Sequence, residues 1–274
     1  MRGASVVTVA RKHAFAPRYR PEERLSVVTD DGVHLAGGRL TGPADAVATV
    51  VLAHGFAHSS RTPRIHAFAH LLARRLHVVV PDLRGHGSSG GVCTLGMEEP
   101  LDVAAAVAAA PPGLPVVTLG ISLGGAAVLL HAGTFAHTHR EIAGVVAISP
   151  PAWSGTWDTP GTKRVARYAN SPIGRQVLAR LLHTRIADHC GAVPDARDLV
   201  AGIAPAFTLI VADPADHYFA EEHSLALYEW AREPKDLWLL PGTGHGSDLL
   251  SPALAHRLIR EIEERLSPGG GPAG

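Results

Sequence analysis

Short, largely apolar runs, each about the length of one β-strand, recur along the chain and alternate with stretches of helical period. The runs are Val47–Ala53, His77–Pro81, Val116–Ile121, Ile142–Ile148 and Phe207–Ala212, with a shorter one at Leu237–Leu240. A strand with one wet face alternates apolar and polar residues, whereas an unbroken apolar run marks a strand covered on both faces. Between the runs the period changes. Thr62-Pro63 reads as N-cap and first helical residue, and Ile65, Phe68, Ala69, Leu72 and Leu76 follow at helical spacing. Residues 98–109 are Ala-rich and stop before Pro111-Pro112. Further helices are expected over Leu123 to about Ala132, over Glu221–Arg232, and from Ser251-Pro252 onward, where Leu254, Leu258, Ile262 and Leu266 recur every four residues. Near the start, Leu25–Thr29 and Val33–Leu40 flank Asp30-Asp31-Gly32, the pattern of a hairpin turn. Strands alternating with helices need right-handed crossovers, which give a mainly parallel sheet with helices on both faces.

One interval breaks the alternation. Residues 151–200 follow a buried strand yet hold no obvious strand of their own. Trp153, Trp157, Pro160 and Tyr168 come early, and Ser171-Pro172 then opens a helix with Ile173, Val177, Leu181 and Leu182 on one side. An insertion of this length between two sheet strands reads as a small helical lid. The expected organisation is a flexible N-terminal segment 1–20, a core of 21–150 and 201–266, the lid 151–200, and a Gly/Pro-rich flexible tail 267–274.

Composition narrows the class. The 274 residues carry 25 basic and 25 acidic side chains, which argues against a chain built to neutralise nucleic-acid phosphates. Cys93 and Cys190 make neither a disulfide framework nor a zinc quartet and read as incidental thiols, a single long-range bridge being the alternative. The most apolar stretch, Leu114 to Gly133, is interrupted by Pro115, Thr118, Ser122 and His131, so it reads as strand then helix rather than a membrane span. With no secretory h-region in the first twenty residues, a cytoplasmic protein without an integral membrane segment is expected.

The sharpest chemical signal is Gly120-Ile121-Ser122-Leu123-Gly124, followed by Gly125, where a buried strand becomes a helix. A nucleophile must project away from its own backbone, and a very tight strand-to-helix turn achieves this only if the positions two residues away lack a Cβ. A serine hydroxyl then needs a base. Seventeen histidines offer many candidates, so position decides. His245, in Gly242-Thr243-Gly244-His245-Gly246, lies just past the last strand, at the carboxyl edge where active sites of parallel sheets assemble. His66 and His70, four apart on a helix, have no evident third ligand and read as a solvated face, so no metal is expected. An acid must orient the base. Asp216 lies out on the loop after Phe207–Ala212 and is the first choice; Asp213, tight against the strand end and before Pro214, is the alternative and otherwise a turn former. Donors for a developing oxyanion are expected from the backbone N–H groups of Phe56, after His54-Gly55, and of Leu123.

Taken together, His54-Gly55-Phe56, the segment Asp82-Leu83-Arg84-Gly85-His86-Gly87-Ser88-Ser89, Gly120 to Gly125, Asp216 and His245 resemble the α/β-hydrolase superfamily over nearly all of residues 25–266. Within it the chain looks most like the lysophospholipase, monoacylglycerol lipase and serine aminopeptidase-like group. The resemblance implies an α/β-hydrolase fold: a mainly parallel eight-stranded sheet with helices on both faces and a small helical lid. It also implies a Ser122–His245–Asp216 triad, oxyanion donors at Phe56 and Leu123, and no metal or organic cofactor. The Asp82 to Ser89 segment is then mainly structural, with Arg84 and His86 as outside candidates for substrate contact. Members of the group usually carry a glycine three residues before the acid, where this chain has Asp213. Trp153, Trp157 and Tyr168 are candidates to line an acyl pocket or to form the lid's own core. The sparse charge of residues 141–162 favours an apolar acyl group. The expected activity is a serine hydrolase acting on small carboxylic esters; the same three residues acting on thioesters or amides, and a hydrolase fold kept only for binding, are the alternatives.

Overall fold

The computed structural model describes residues 23–135, 141–155, 159–188 and 191–267. The N-terminal segment 1–20, residues 268–274, Trp157 and Cys190 lie outside them. Eight strands, β1 Glu23–Val28, β2 His34–Leu40, β3 Thr49–Ala53, β4 His77–Pro81, β5 Val116–Ile121, β6 Gly144–Ile148, β7 Phe207–Ala212 and β8 Lys235–Leu239, form one sheet in the order β1-β2-β4-β3-β5-β6-β7-β8. The pairs β1–β2 and β2–β4 are antiparallel and the other five are parallel. This is the expected mainly parallel eight-stranded sheet. The hairpin turn is closed by Gly32 at φ 84°, a left-handed position that suits glycine.

The unbroken apolar runs split by parity, as strands buried on both faces must. In β3, Val50 and Leu52 join one core and Val51 and Ala53 the other; in β6, Val146 and Ile148 oppose Val145 and Ala147. The first core is closed by helix α1 (Pro63–Leu72), through Ile65, Phe68 and Leu72, and by the C-terminal helix (Pro252–Leu266), through Leu254, Leu258 and Ile262. The second core is closed by α2 (Glu99–Ala108) and α3 (Leu123–Phe135). Helix α3 packs on β5, β6 and α2, which explains why its sequence is apolar all round.

Local signals account for most boundaries, with three exceptions. Thr62 occupies the N-cap of α1, but its hydroxyl accepts from the Ser59 N–H (2.9 Å) instead of capping the helix. Between β6 and β7 there are two helices of equal length, α4 (Pro160–Ala169) and α5 (Pro172–Leu181), then a short α6 (Ala196–Leu199). Helix α4 is rich in basic residues and its apolar side is narrow, made of small residues; a Thr159–Thr162 capping box and Pro160 start it. The apolar side expected on α5 is only partly covered: Ile173 is 77% and Leu181 58% exposed, Val177 and Leu182 are half-buried along the cleft, and Gly174 and Leu178 are buried. Helix α7 (Glu221–Trp230) and the C-terminal helix, α8, complete the element order. The hydroxyl of Ser251 caps α8 by accepting from the Leu254 N–H.

Candidate active site

The turn between β5 and α3 places Ser122 at φ 53°, a left-handed conformation that a non-glycine residue adopts at a cost. Its neighbours make the turn possible. A Cβ on Gly120 would sit 2.1 Å from the Gly124 carbonyl oxygen, and one on Gly124 would sit 2.3 Å from that of Ala53. The Ser122 N–H donates to the Ile148 oxygen (2.8 Å) and the Ala126 N–H to the Ser122 oxygen (3.0 Å), so the turn is tied to the next strand and to its own helix.

The loop after β8 brings His245 to this turn. Its Nε2 lies 2.9 Å from Ser122 Oγ and its Nδ1 2.6 Å from Asp216 Oδ2. An ionised carboxylate only accepts, so Nδ1 carries the proton and Nε2 is left to accept from the hydroxyl. The pair is largely withdrawn from solvent, with side-chain exposures of 12% for His245 and 2% for Asp216. The second oxygen of Asp216 accepts from the Tyr218 N–H (2.7 Å) and the Phe219 N–H (3.3 Å), which fixes the carboxylate plane. Rings surround the imidazole: Tyr218 stacks on it with centroids 4.3 Å apart, and Phe219 and His217 present edges at 5.5 and 6.2 Å.

The partner of His245 Nδ1 is Asp216, not Asp213; Asp213 holds the loop that carries the imidazole. Its carboxylate accepts from the Gly244 N–H (2.6 Å) and the Ala215 N–H (2.9 Å). Burial pushes its carboxyl up, but these and neighbouring backbone donors outweigh burial and leave it below the ordinary value. The turn-former reading of Asp213 was therefore too narrow. On the other side of His245, the Gly246 N–H donates to Ser149 Oγ (3.0 Å). Ser149 follows β6 at φ 49° and went unnoticed in the sequence, because nothing local marks it.

The Gly55–Phe56 turn lies beside the nucleophile: a Cβ on Gly55 would be 3.5 Å from Ser122 Cβ. His54 holds this turn from behind. Its Nε2 accepts from the Leu83 N–H (3.0 Å), which requires the proton on Nδ1, where it donates to the Gly55 oxygen (2.8 Å). Burial, aided by nearby His86, depresses the His54 pKa to about 3, so the ring is neutral. Leu123 begins α3, where a helix leaves its first N–H groups unpaired. Phe56 and Leu123 both line the cleft beside Ser122.

That cleft has a volume of about 1260 Å³ and contains Ser122 and His245. Val177, Leu178, Leu182 and Ile186 give it an apolar wall, and Lys163, Arg164 and Arg167 a basic rim. Asp188 and Asp248, also in the lining, are paired with Arg175 (3.2 Å) and Arg64 (2.6 Å). Trp153 lines the cleft, but its ring also stacks on His223 at 3.9 Å, and Tyr168 lines it from α4. Arg84 and His86 are not substrate contacts. Arg84, 1% exposed, is bound to Asp102 (2.8 Å), Asp31 (2.8 Å) and Glu98 (2.6 Å), and His86 is fully buried against the Arg84 carbonyl. His66 and His70 approach each other at 3.2 Å, and among the described residues no cluster of three such side chains suits a metal ion.

Comparison with known proteins fits this architecture. Residues 50–270 match the profile of the Alpha/beta hydrolase family. The uncharacterized protein YfhR of Escherichia coli O157:H7 is 28% identical over 273 residues, covering 93% of this chain and 85% of its own. An esterase of Pyrococcus furiosus is similar with a TM-score of 0.66 at 20% identity, over 89% of this chain and 91% of that one. A thermophilic esterase of Thermogutta terrifontis is similar with a TM-score of 0.68 at 21% identity, over 90% of this chain and 100% of that one.

Proposed function

The chain belongs to the Alpha/beta hydrolase family, and from that premise we propose that it is a serine esterase cleaving carboxylic esters through an acyl-enzyme. The observation that carries this reading is the hydrogen-bonded chain from Asp216 Oδ2 through His245 to Ser122 Oγ, at 2.6 and 2.9 Å, ending on the floor of the cleft. His245 Nε2 takes the hydroxyl proton as Ser122 Oγ attacks the ester carbonyl, and Asp216 stabilises the imidazolium without taking the proton itself. The tetrahedral oxyanion is met by the N–H groups of Phe56 and Leu123, donors of a kind worth roughly 3–4 kcal/mol each to the barrier. His245 returns the proton to the departing alkoxide. A water then repeats the sequence on the acyl-enzyme, releasing the acid and restoring the hydroxyl.

The apolar wall of Val177, Leu178, Leu182 and Ile186 supports an acyl chain as the buried half of the substrate, with α4 and α5 acting as its lid. The structural relatives described as esterases support the same bond class. A series of p-nitrophenyl esters of increasing acyl length, run beside an acyl-CoA thioester and an aminoacyl anilide, tests the reading. Turnover of the oxygen esters, with a burst of nitrophenol and loss of about a millionfold in kcat for Ser122→Ala, is the expected result. Preference for the thioester or anilide would move the activity to those alternatives, and unchanged turnover in Ser122→Ala would end the assignment.

A further inference from the structure

Tyr218 touches the acid, the base and the helical segment above the cleft. Its N–H donates to Asp216 Oδ1 (2.7 Å). Its ring stacks on the His245 imidazole, with centroids 4.3 Å apart and planes 29° from parallel. Its carbonyl oxygen accepts from Thr159 Oγ1 (3.0 Å), the N-cap of α4. In the first turn of that helix, Gly161 lies so close that a Cβ there would sit 2.7 Å from Tyr218 Cγ and Cδ1. We propose that Tyr218 is a positioning residue through which the first turn of α4 sets the orientation and charge affinity of the His245 imidazole.

Two physical effects meet in that stack. The hydrogen bond to Asp216 fixes one corner of the imidazole but leaves the ring free to roll about the Nδ1–Oδ2 line. A second ring on its face removes that freedom and keeps Nε2 aimed at Ser122. The face of a phenol ring also carries negative potential, which favours the imidazolium that forms as Ser122 gives up its proton. Gly161 makes the arrangement depend on α4. Any side chain there would drive the first turn and the Tyr218 ring apart, and the ring is already in contact with the base. Of titratable groups, Asp216 and His217 contact the imidazole itself; Arg164 on α4 and Asp248, paired with Arg64, act on Tyr218, and His58 lies in the cleft lining. Substitutions at Tyr218 remove none of these groups, and Gly161→Ala presses on His217 only through its carbonyl oxygen.

The test is the pH profile of kcat/KM on p-nitrophenyl butyrate for the full chain and its variants; only this readout rests on the esterase reading. Tyr218→Leu keeps the volume and loses the ring face. It is expected to lower kcat roughly three- to fivefold, to leave KM unchanged, and to move the acid limb down by about half a pH unit. Tyr218→Phe keeps the ring and is expected to restore both. Gly161→Ala is expected to lower kcat in the native background and to cost clearly less in Tyr218→Ala, where only the His217 carbonyl, 2.9 Å from the added Cβ, still opposes it. Leu and Phe behaving alike, an unmoved acid limb, or equal cost of Gly161→Ala in both backgrounds would overturn the proposal. An NMR titration of the His245 ring reads the same downward shift without turnover. A protein that cleaves no ester would therefore end the esterase reading, while the NMR shift still decides this one.

Discussion

His245 is held on both flanks by side chains that follow other strands. Gly244 donates to Asp213 after β7, and Gly246 donates to Ser149 after β6. Ser149→Ala leaves the buried Gly246 N–H without its acceptor. Such a loss costs about 1–3 kcal/mol of stability and loosens the imidazole, so kcat is expected to fall by about tenfold with little change in KM. Steady-state kinetics with denaturant unfolding checks both, and a Ser149→Ala enzyme with native kcat would show that the loop holds its shape without this bond. The same comparison shows why Ser122 and His245 were legible in the sequence while Ser149 was not. The nucleophile is announced by glycines two residues either side, each excluded from carrying a Cβ by backbone at 2.1–2.3 Å. Ser149 acts on a residue 97 positions away, and Asp213 on one 31 positions away, so no local pattern marks either. Tyr218 is equally silent, because stacking on an imidazole leaves no spacing rule in the chain.

At the scale of elements, period tells which residues share a face but not which face meets the body of the protein. For the buried strands this does not matter, since both faces are covered, and β5 and β7 run Val116–Ile121 and Phe207–Ala212, as their apolar runs indicate. For α5 it matters. Of its apolar side, Ile173 looks outward, Val177, Leu181 and Leu182 line the cleft, and Leu178 meets Ala169 and Ile186. Helix α4 was harder to read because the side it buries, with Gly161, Thr162 and Ala169, is made of small residues; caps start it and contacts with α5 and Tyr218 hold it. These packing roles predict opposite outcomes for two neighbouring substitutions. Ile173→Ser is expected to change stability by no more than about 0.5 kcal/mol. Leu178→Ala is expected to cost about 2 kcal/mol or more, because it empties a small cluster. Thermal unfolding of the two variants decides the point, and a larger cost for Ile173→Ser would restore the outward face to the core.

At the scale of the whole molecule, buried histidines make stability depend on pH. His54 is neutral when folded, with a pKa of about 3 against an ordinary 6.5, and burial lowers His86 as well. The unfolded chain therefore binds more protons than the folded one between those values, and stability falls as pH drops from about 6.5 toward 3. His54 alone accounts for up to about 4–5 kcal/mol across that window, as an order of magnitude. Urea unfolding between pH 7 and 4 should show the decline, with a shallower slope in His54→Gln; a flat profile would mean that these rings take up protons in place. A proton taken up on His54 Nε2 removes the acceptor of the Leu83 N–H, one of the two bonds by which this ring ties Leu83 to the Gly55–Phe56 turn beside Ser122. The sheet, its two cores and the stapled turns thus hold Ser122 Oγ within hydrogen-bond reach of His245 in the cleft, the arrangement on which the proposed function rests. The most direct measurement of it is intact-mass analysis after treatment with a fluorophosphonate, followed by peptide mapping. One adduct per chain, on Ser122, absent from Ser122→Ala and strongly slowed in His245→Ala, is the predicted result. No adduct on the folded protein, or labelling that persists at full rate without His245, would contradict the account.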